Sequence, residues 1–293
     1  MSSKYEFIDG EKAFYPIVKM CQWAAVSKSG FYEWRDRPAS ATAARRDVLV
    51  VRIREIFADS DETYGYRRVH AQLQRDRIEA GAELVRAIMV ADGLVACQPR
   101  PFRVTTIGDG TDSAPGDLCR RDFTATAPGV KLVGDITYIS TWAGWVYLAT
   151  VIDCYSKMVV GYALDDHMRT SLVTDALDMA TGNHRLVDGC IFHSDRGSQY
   201  TSSELADYLE RHGLRGSMGR TGVCWDNAMA ESFFASLKNE FVYRTVFPTR
   251  KKAIYSIAHW IEIRYNRKRL HSGIGYRTPS EAHNSYITGT LAA

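Results

Sequence analysis

No run of 18 apolar residues occurs in the 293-residue sequence, and its first residues lack the apolar core of a signal peptide. Neither a membrane-spanning helix nor a secretory leader is expected, and a cytoplasmic setting is. The six cysteines, Cys21, Cys97, Cys119, Cys154, Cys190 and Cys224, are scattered without CxxC spacing. That argues against a zinc knot and for a reducing compartment. Net charge is also scarce: 37 Lys and Arg oppose 34 Asp and Glu, a formal +3. Any nucleic-acid binding must come from local clusters rather than from the total. There is no sustained heptad, no long internal repeat and no low-complexity tract. What is present is a globular composition, 45% hydrophobic, long enough for a full core plus one or two helical modules.

Three acidic residues sit where a purely structural account would place something else. Asp135 interrupts Lys131-Leu-Val-Gly-Asp-Ile-Thr-Tyr-Ile139, whose apolar and β-branched residues read as a buried strand. A charge there needs a partner or a metal. Asp195 follows a short apolar run, Cys190-Ile-Phe-His-Ser194, and opens a polar loop with Gly197. It therefore marks a strand's carboxyl end, where ligands gather in α/β sheets. Glu231 falls in the early turns of a helix that Asp226 or Asn227 can cap. Between Asp195 and Glu231 lie 35 residues, enough for a helix at about 202–212, a strand at 214–218 and a turn. Any one of these acids alone reads as a solvated or capping group. The order strand, strand end, helix makes a shared metal site the sharper reading.

Neighbouring residues divide in the same way. Lys238 lies two helical turns after Glu231 and shares its face; it is either a phosphate ligand or an exposed lysine. His193 and Arg196 flank Asp195, and either orients phosphate or satisfies backbone groups. Asp153, in Val151-Ile-Asp-Cys-Tyr-Ser-Lys157, reads as a strand terminator that shapes the turn to Lys157.

Periodicity supplies the rest of the core. Strands are expected at 131–139, 144–152 and 157–163, the first two joined by a turn at Thr141-Trp-Ala-Gly144. Leu172, Ala176, Leu177 and Ala180 mark an amphipathic crossover helix. Three strands followed by helix, strand, helix, strand give an α/β fold with a mixed sheet flanked by helices. Upstream the chain reads as all helical. Residues 15–34 allow a helix-turn-helix whose second helix Ser27 caps, or simply a packed helical pair. Further helices are expected at about 45–57, from Gly65 through Leu73, and at 83–91, with Gly93 as a stop. Arg67, Arg68, Arg75 and Arg77 offer a DNA grip or are ordinary solvated charges. Gln98-Pro-Arg-Pro101 and residues 108–128 read as a linker. Beyond the core, Arg250, Lys251, Lys252, Arg264, Arg267, Lys268 and Arg269 cluster with Tyr255, Trp260 and Tyr265, as a phosphate-tracking surface or a helix face packed by its aromatics. The expected boundaries are 1–40 (helix-turn-helix-like), 41–97 (second helical, DNA-binding-like), 98–127 (linker), 128–245 (catalytic core) and 246–293 (basic helical tail).

Four segments together carry a family resemblance: Gly134-Asp-Ile-Thr-Tyr-Ile139, His193-Ser-Asp-Arg-Gly-Ser-Gln-Tyr200, Trp225-Asp-Asn-Ala-Met-Ala-Glu-Ser-Phe-Phe234 and Tyr265-Asn-Arg-Lys-Arg-Leu-His-Ser-Gly-Ile-Gly-Tyr-Arg-Thr-Pro279. The chain resembles the DDE transposases of bacterial insertion sequences, within them the second-frame catalytic product of the group named for insertion sequence three. The resemblance implies a retroviral-integrase-like core of ribonuclease H fold, with Asp135, Asp195 and Glu231 as catalytic triad and ligands of two Mg²⁺ or Mn²⁺ ions. It gives Lys238 a role at the DNA end and, through the matching tail, favours DNA contact by Arg264, Arg267, Lys268 and Arg269. Arg196, Arg67 and Arg68 stay candidate DNA contacts, and His193 a candidate support of the carboxylates, on their own positions. The N-terminal zinc module of retroviral integrases has no counterpart here. The partners implied are double-stranded DNA (element terminal repeats and target), further copies of the chain, and a first-frame protein with its own helix-turn-helix and coiled coil. The expected activity is DNA cleavage and strand transfer by a copy-out, paste-in route. The alternatives are a non-catalytic DNA-binding regulator and a structure-selective nuclease of the same fold.

Overall fold

A computed structural model describes residues 2–38, 40–97, 116–219 and 227–291. These form two compact units, Met1–Glu55 and Ile56–Ala293. The first contains α1 (Ser2–Glu11), α2 (Ile17–Trp23), α3 (Lys28–Asp36) and the start of α4 (Ala41–Asp59). Tyr5, Ile8, Met20, Cys21 and Phe31 form its core, with Ile17, Val26 and Trp34 packed against them. The turn between α2 and α3 passes through Ala25 at φ 51°. The Ser27 hydroxyl then accepts the Gly30 N–H, capping α3 as its position predicts. Helix α1 was not anticipated. It has neither an acidic first turn nor a basic last one, and its contribution is to bring Tyr5 and Ile8 to that core.

The second unit is built on a five-stranded sheet. Its strands are β1 (Lys131–Thr141), β2 (Gly144–Asp153), β3 (Val159–Asp165), β4 (Ile191–Ser194) and β5 (Arg215–Met218). The order is β3-β2-β1-β4-β5, with β1–β2 and β2–β3 antiparallel and β1–β4 and β4–β5 parallel. Helix α7 (Thr170–Asn183) crosses from β3 to β4, and α8 (Ser203–Arg211) joins β4 to β5. Two hairpin connections and two crossovers produce this order, which is the ribonuclease H-like arrangement expected.

Alternation along β1 assigns the two faces. Leu132 and Ile136 join the core under α7 and α8. Val133 and Ile139 join a second core with α9 (Ala228–Glu240) and α10 (Arg250–His259). Odd-numbered positions of β1 thus face α9, Asp135 among them. Gly134, on the other face, is demanded by packing: a Cβ there would come 2.4 Å from the Phe192 ring.

The chain around the sheet is closely packed. Residues 116–128, at the end of the predicted linker, lie against the core. Leu118 N–H donates to the Ser217 hydroxyl, Cys119 is buried, and Phe123 meets the His193 ring edge-on at 5.8 Å. Residues 98–115, the remainder of that linker, fall outside the described residues. Helices α5 (Tyr66–Arg75) and α6 (Ala82–Ala91) belong to this unit. The Tyr64 hydroxyl donates to Lys268 O at 3.1 Å and accepts Leu270 N–H at 2.8 Å, and Arg75 pairs with Glu281 on α11 (Pro279–Leu291). After α10 the chain continues as a π-helical stretch, Trp260–Tyr265. There Trp260 and Tyr265 are buried against Phe233, while Tyr255 is exposed. Asn266, also buried, binds both backbone groups of Val159 at the start of β3, each at 3.0 Å. No described helix is long and apolar enough to cross a membrane.

Candidate active site

Parallel pairing of β1 with β4 matches Val133 to His193. Asp135 lies two residues beyond Val133 on β1 and Asp195 two beyond His193, just past the end of β4, where neighbouring backbones run about 4.8 Å apart. Asp195 follows directly on the last residue of β4, and its Oδ1 accepts the Gly197 N–H at 3.0 Å. Asp135 Oδ1 accepts the Ile136 N–H at 2.8 Å. Among the described residues, the second oxygen of each carboxylate has no hydrogen-bond donor.

Glu231 comes from the first turn of α9. The N-cap residue of that helix, Asn227, sends its Nδ2 to Gly134 O at 3.2 Å, fixing the helix start beside Asp135 on β1. Electrostatics report the same grouping. Burial and then the Asp195 charge raise the Asp135 pKa to about 8, with a smaller push from Glu231 and relief from Lys238. Burial also raises the Glu231 pKa. Asp195 and Glu231 therefore both bear on Asp135, Asp195 the more strongly. Among the described residues, no three acidic, His or Cys side chains are close enough to share one ion.

This donor set fits a hard divalent cation. Carboxylate oxygens are the ligands such ions prefer, and a carboxyl lifted to about 8 marks negative charge that lacks a compensating partner. Tyr200 adds a second sign. Its hydroxyl is buried with no hydrogen-bond partner, and burial together with Asp135 and Asp195 holds its pKa well above the ordinary value. Sequence reasoning did not single it out. The available signal was its place five residues after Asp195 in the same loop.

The other predicted residues disperse. Lys238 is half-buried near Asp135, its ammonium 5.3 Å from the Tyr138 ring centre, and burial lowers its pKa. Arg196 Nε donates to Gly219 O at 2.9 Å. His193 is fully buried, hydrogen-bonded through Nδ1 to Ser217 at 2.8 Å, and braces β4 against β5. Arg67, Arg267 and Lys268 are exposed. Arg264 donates to Asp59 O and pairs with Asp61. Arg269 is buried in a two-pronged pair with Glu240, at 2.6 and 2.8 Å, and Arg68 reaches the same Glu240 at 3.4 Å. Asp153, the rival carboxylate, is buried and used up by Gly129 N–H, Ser156 N–H and the Ser156 hydroxyl.

Comparison with known proteins gives the family of the chain. Two families, both described as integrase core domain, match residues 125–224 and 212–279, and an HTH-like domain matches residues 44–102. The chain is 38% identical to an uncharacterized 31 kDa protein of insertion element IS600 from Shigella sonnei, over 91% of this chain and 98% of that one. It is 35% identical to the transposase InsF for insertion sequence IS3A of Escherichia coli (strain K12), over 97% of this chain and 99% of that one. Among solved structures, the HTLV-2 integrase catalytic core domain in complex with magnesium aligns with a TM-score of 0.42 at 14% identity, covering 54% of this chain and 98% of that one. Likeness at that level is loose, and the fold rests on the strand order itself. The near full-length relatedness to InsF establishes that the chain belongs to the family of insertion-sequence transposases with an integrase core.

Proposed function

We propose that this chain is the catalytic transposase of an insertion sequence, cutting the ends of its element and joining the freed 3′-hydroxyl to a second phosphodiester. The observation that supports the reading is the buried Asp135 carboxyl, raised to about 8 by burial and by Asp195, with Glu231 acting on it from the adjoining helix, since uncompensated buried carboxylates destabilise a fold unless a reaction uses them. In the joining step the attacking 3′-oxygen forms a bond to phosphorus as the bond to the former 3′-oxygen breaks. The attacking hydroxyl loses a proton and the departing oxygen gains one. Asp135, Asp195 and Glu231 would hold two Mg²⁺ or Mn²⁺ ions, which supply Lewis-acid charge at the attacking and leaving oxygens.

The protein's own part is orientation. Ile136 and Gly197 N–H groups each fix one carboxylate oxygen and leave the other for ligation. The buried, unpartnered Tyr200 hydroxyl, which feels the charges of Asp135 and Asp195, would donate to this cluster, and the half-buried Lys238 ammonium, which feels Asp135, would balance it and hold a phosphate beside it. Arg67, Arg196, Arg267 and Lys268 are the side chains proposed to track the DNA backbone. His193 supports the site through the strand that carries Asp195. The DNA comprises the element's terminal repeats and a target, and assembly on it involves further copies of the chain and a first-frame partner protein. A bacterial cytoplasm, where buried thiols such as Cys21, Cys119, Cys154 and Cys190 stay reduced, is the proposed setting.

Strand transfer on labelled element ends tests the reading. Joining that requires Mn²⁺ or Mg²⁺ and disappears in Asp135→Asn supports it. Binding without joining would instead indicate a regulator, and cleavage of branched DNA without joining a nuclease.

A further inference from the structure

A cavity of about 290 Å³ opens beside α9, lined by Arg68, Lys157, Arg269 and His271. Ser232, Ser236 and Ser272 add hydroxyls, and Ile152, Phe233 and Tyr265 contribute apolar wall. Its size falls just below that of pockets for drug-sized organic ligands, about 300 Å³ and upward, and suits a smaller group. Four separate stretches of chain supply its polar groups: α5, the turn after β2, α9 and the segment after Tyr265.

Charge in this cavity is unbalanced. Glu240 is the carboxylate hydrogen-bonded to its cations, and it is shared between Arg269 and Arg68. The Lys157 ammonium donates to the backbone carbonyls of Phe123 and Cys154. Three cations thus share one hydrogen-bonded carboxylate, while Asp153 and Asp122 act on Lys157 through space. Two neighbours register that excess. Burial, and then the Arg269 charge, lowers the Arg68 pKa. Burial, followed by Arg269, Lys157 and Arg68, lowers the His271 pKa to about 4. A ligand that supplies two or more acceptor oxygens and negative charge would satisfy what the cavity offers.

Helix geometry relates the cavity to the carboxylates. At 100° per residue, Ser232 and Ser236 lie about 100° and 140° around α9 from Glu231. The same helix therefore presents the acid on one side and the cavity on another. With a helix diameter of about 10–12 Å and a rise of about 3.4 Å per nucleotide, one strand spans the two sides in roughly three nucleotides.

We propose that this cavity is a phosphate-binding site that holds a backbone phosphate of the DNA a few nucleotides from the one presented to the carboxylates. The proposal deepens the transposase reading and rests on it. Free orthophosphate shares the ligand chemistry, so the experiment separates the two sources. The variants are Arg68→Gln, which leaves Glu240 paired with Arg269, and Ser272→Glu, which places a carboxylate at an exposed position on the rim.

The full chain is titrated with element-end DNA across a salt series, and separately with orthophosphate at constant ionic strength while thermal stability is followed. The expected result is a salt slope for DNA binding lowered by about one in Arg68→Gln, weaker binding in Ser272→Glu, and loss in both of the parent's stabilisation by orthophosphate. An unchanged slope with unchanged affinity in both variants overturns the proposal. So does orthophosphate stabilisation lost in the variants while DNA binding stays at the parent level, because that outcome makes the cavity a site for the free ion. Joining assays on the parent chain keep the two readings apart. A parent that joins DNA while the variants bind like it sinks the cavity alone, and a parent that never joins DNA but shows the slope change sinks the reaction alone.

Discussion

Burial and the field of Asp195 hold the Asp135 carboxyl at about 8, so the metal-free fold carries a group it would be more stable without. Asp135→Asn keeps the shape and removes the charge. Joining activity is expected to fall on the order of 10³-fold or more, while the metal-free melting temperature rises by about 2–6 °C. Magnesium should raise the melting temperature of the parent and leave that of the variant nearly unchanged; calorimetry with and without the ion reads both. His271 acts in the opposite sense. Its folded pKa of about 4 lies below the ordinary value near 6.5, so the unfolded chain binds the extra proton between those values. Stability from this group is full above pH 6.5 and is lost as pH falls towards 4, by about 2–3 kcal/mol. Urea midpoints of the parent and His271→Asn, which retains an acceptor for the Gly273 N–H, should diverge at pH 7 and converge near pH 4.

Helices and strands meet at closer range than their sequences announce. Gly134 admits the Phe192 ring between β1 and β4, so Gly134→Ala is expected to cost about 1–3 kcal/mol by overpacking. Phe192→Leu in the same chain should recover part of that loss, a coupling that a double-mutant cycle in urea would measure. At this scale the strands, the crossover helix and the Ser27 cap were legible in the sequence, because alternation, 3.6-residue spacing and a hydroxyl at a helix start are local signals. Helix α1 was not, since nothing in its first or last turn marks its ends. The π-helical stretch Trp260–Tyr265 escaped for another reason. Its aromatics read equally well as a nucleic-acid surface or as core, and only contact with Phe233 from a distant helix places Trp260 and Tyr265 inside.

Across the whole second unit, one phenol links α5's segment to the chain after Tyr265: Tyr64 donates to Lys268 O and accepts from Leu270 N–H. Tyr64→Phe should reduce stability by about 1–2 kcal/mol, and hydrogen exchange at Leu270 should quicken, which NMR would detect. The same long-range assembly explains what the sequence displayed of the candidate site. Asp135 stood out because a carboxylate breaks a strand pattern, and Asp195 and Glu231 because each lies at the edge of a recognisable element. The cationic cavity gave no comparable sign, because Arg68 and Arg269 read as members of two separate basic clusters and Lys157 as the end of a turn, with nothing local to bring the three together. Arg269 is instead nearly enclosed, at 6% exposure, and its partner Glu240 carries no motif.

Asn266 mimics a neighbouring strand for the first rung of β3, offering one amide to both the N–H and the C=O of Val159. Since β3 is the outermost strand of its sheet, removing the polypeptide beyond residue 245 would free that rung as a template for other chains and bare the apolar face that Ala253, Ile257, Trp260 and Ile261 cover. A fragment trimmed there is expected to precipitate, through the bared apolar face as well as the freed strand edge, and sedimentation of the trimmed chain beside the parent would measure it.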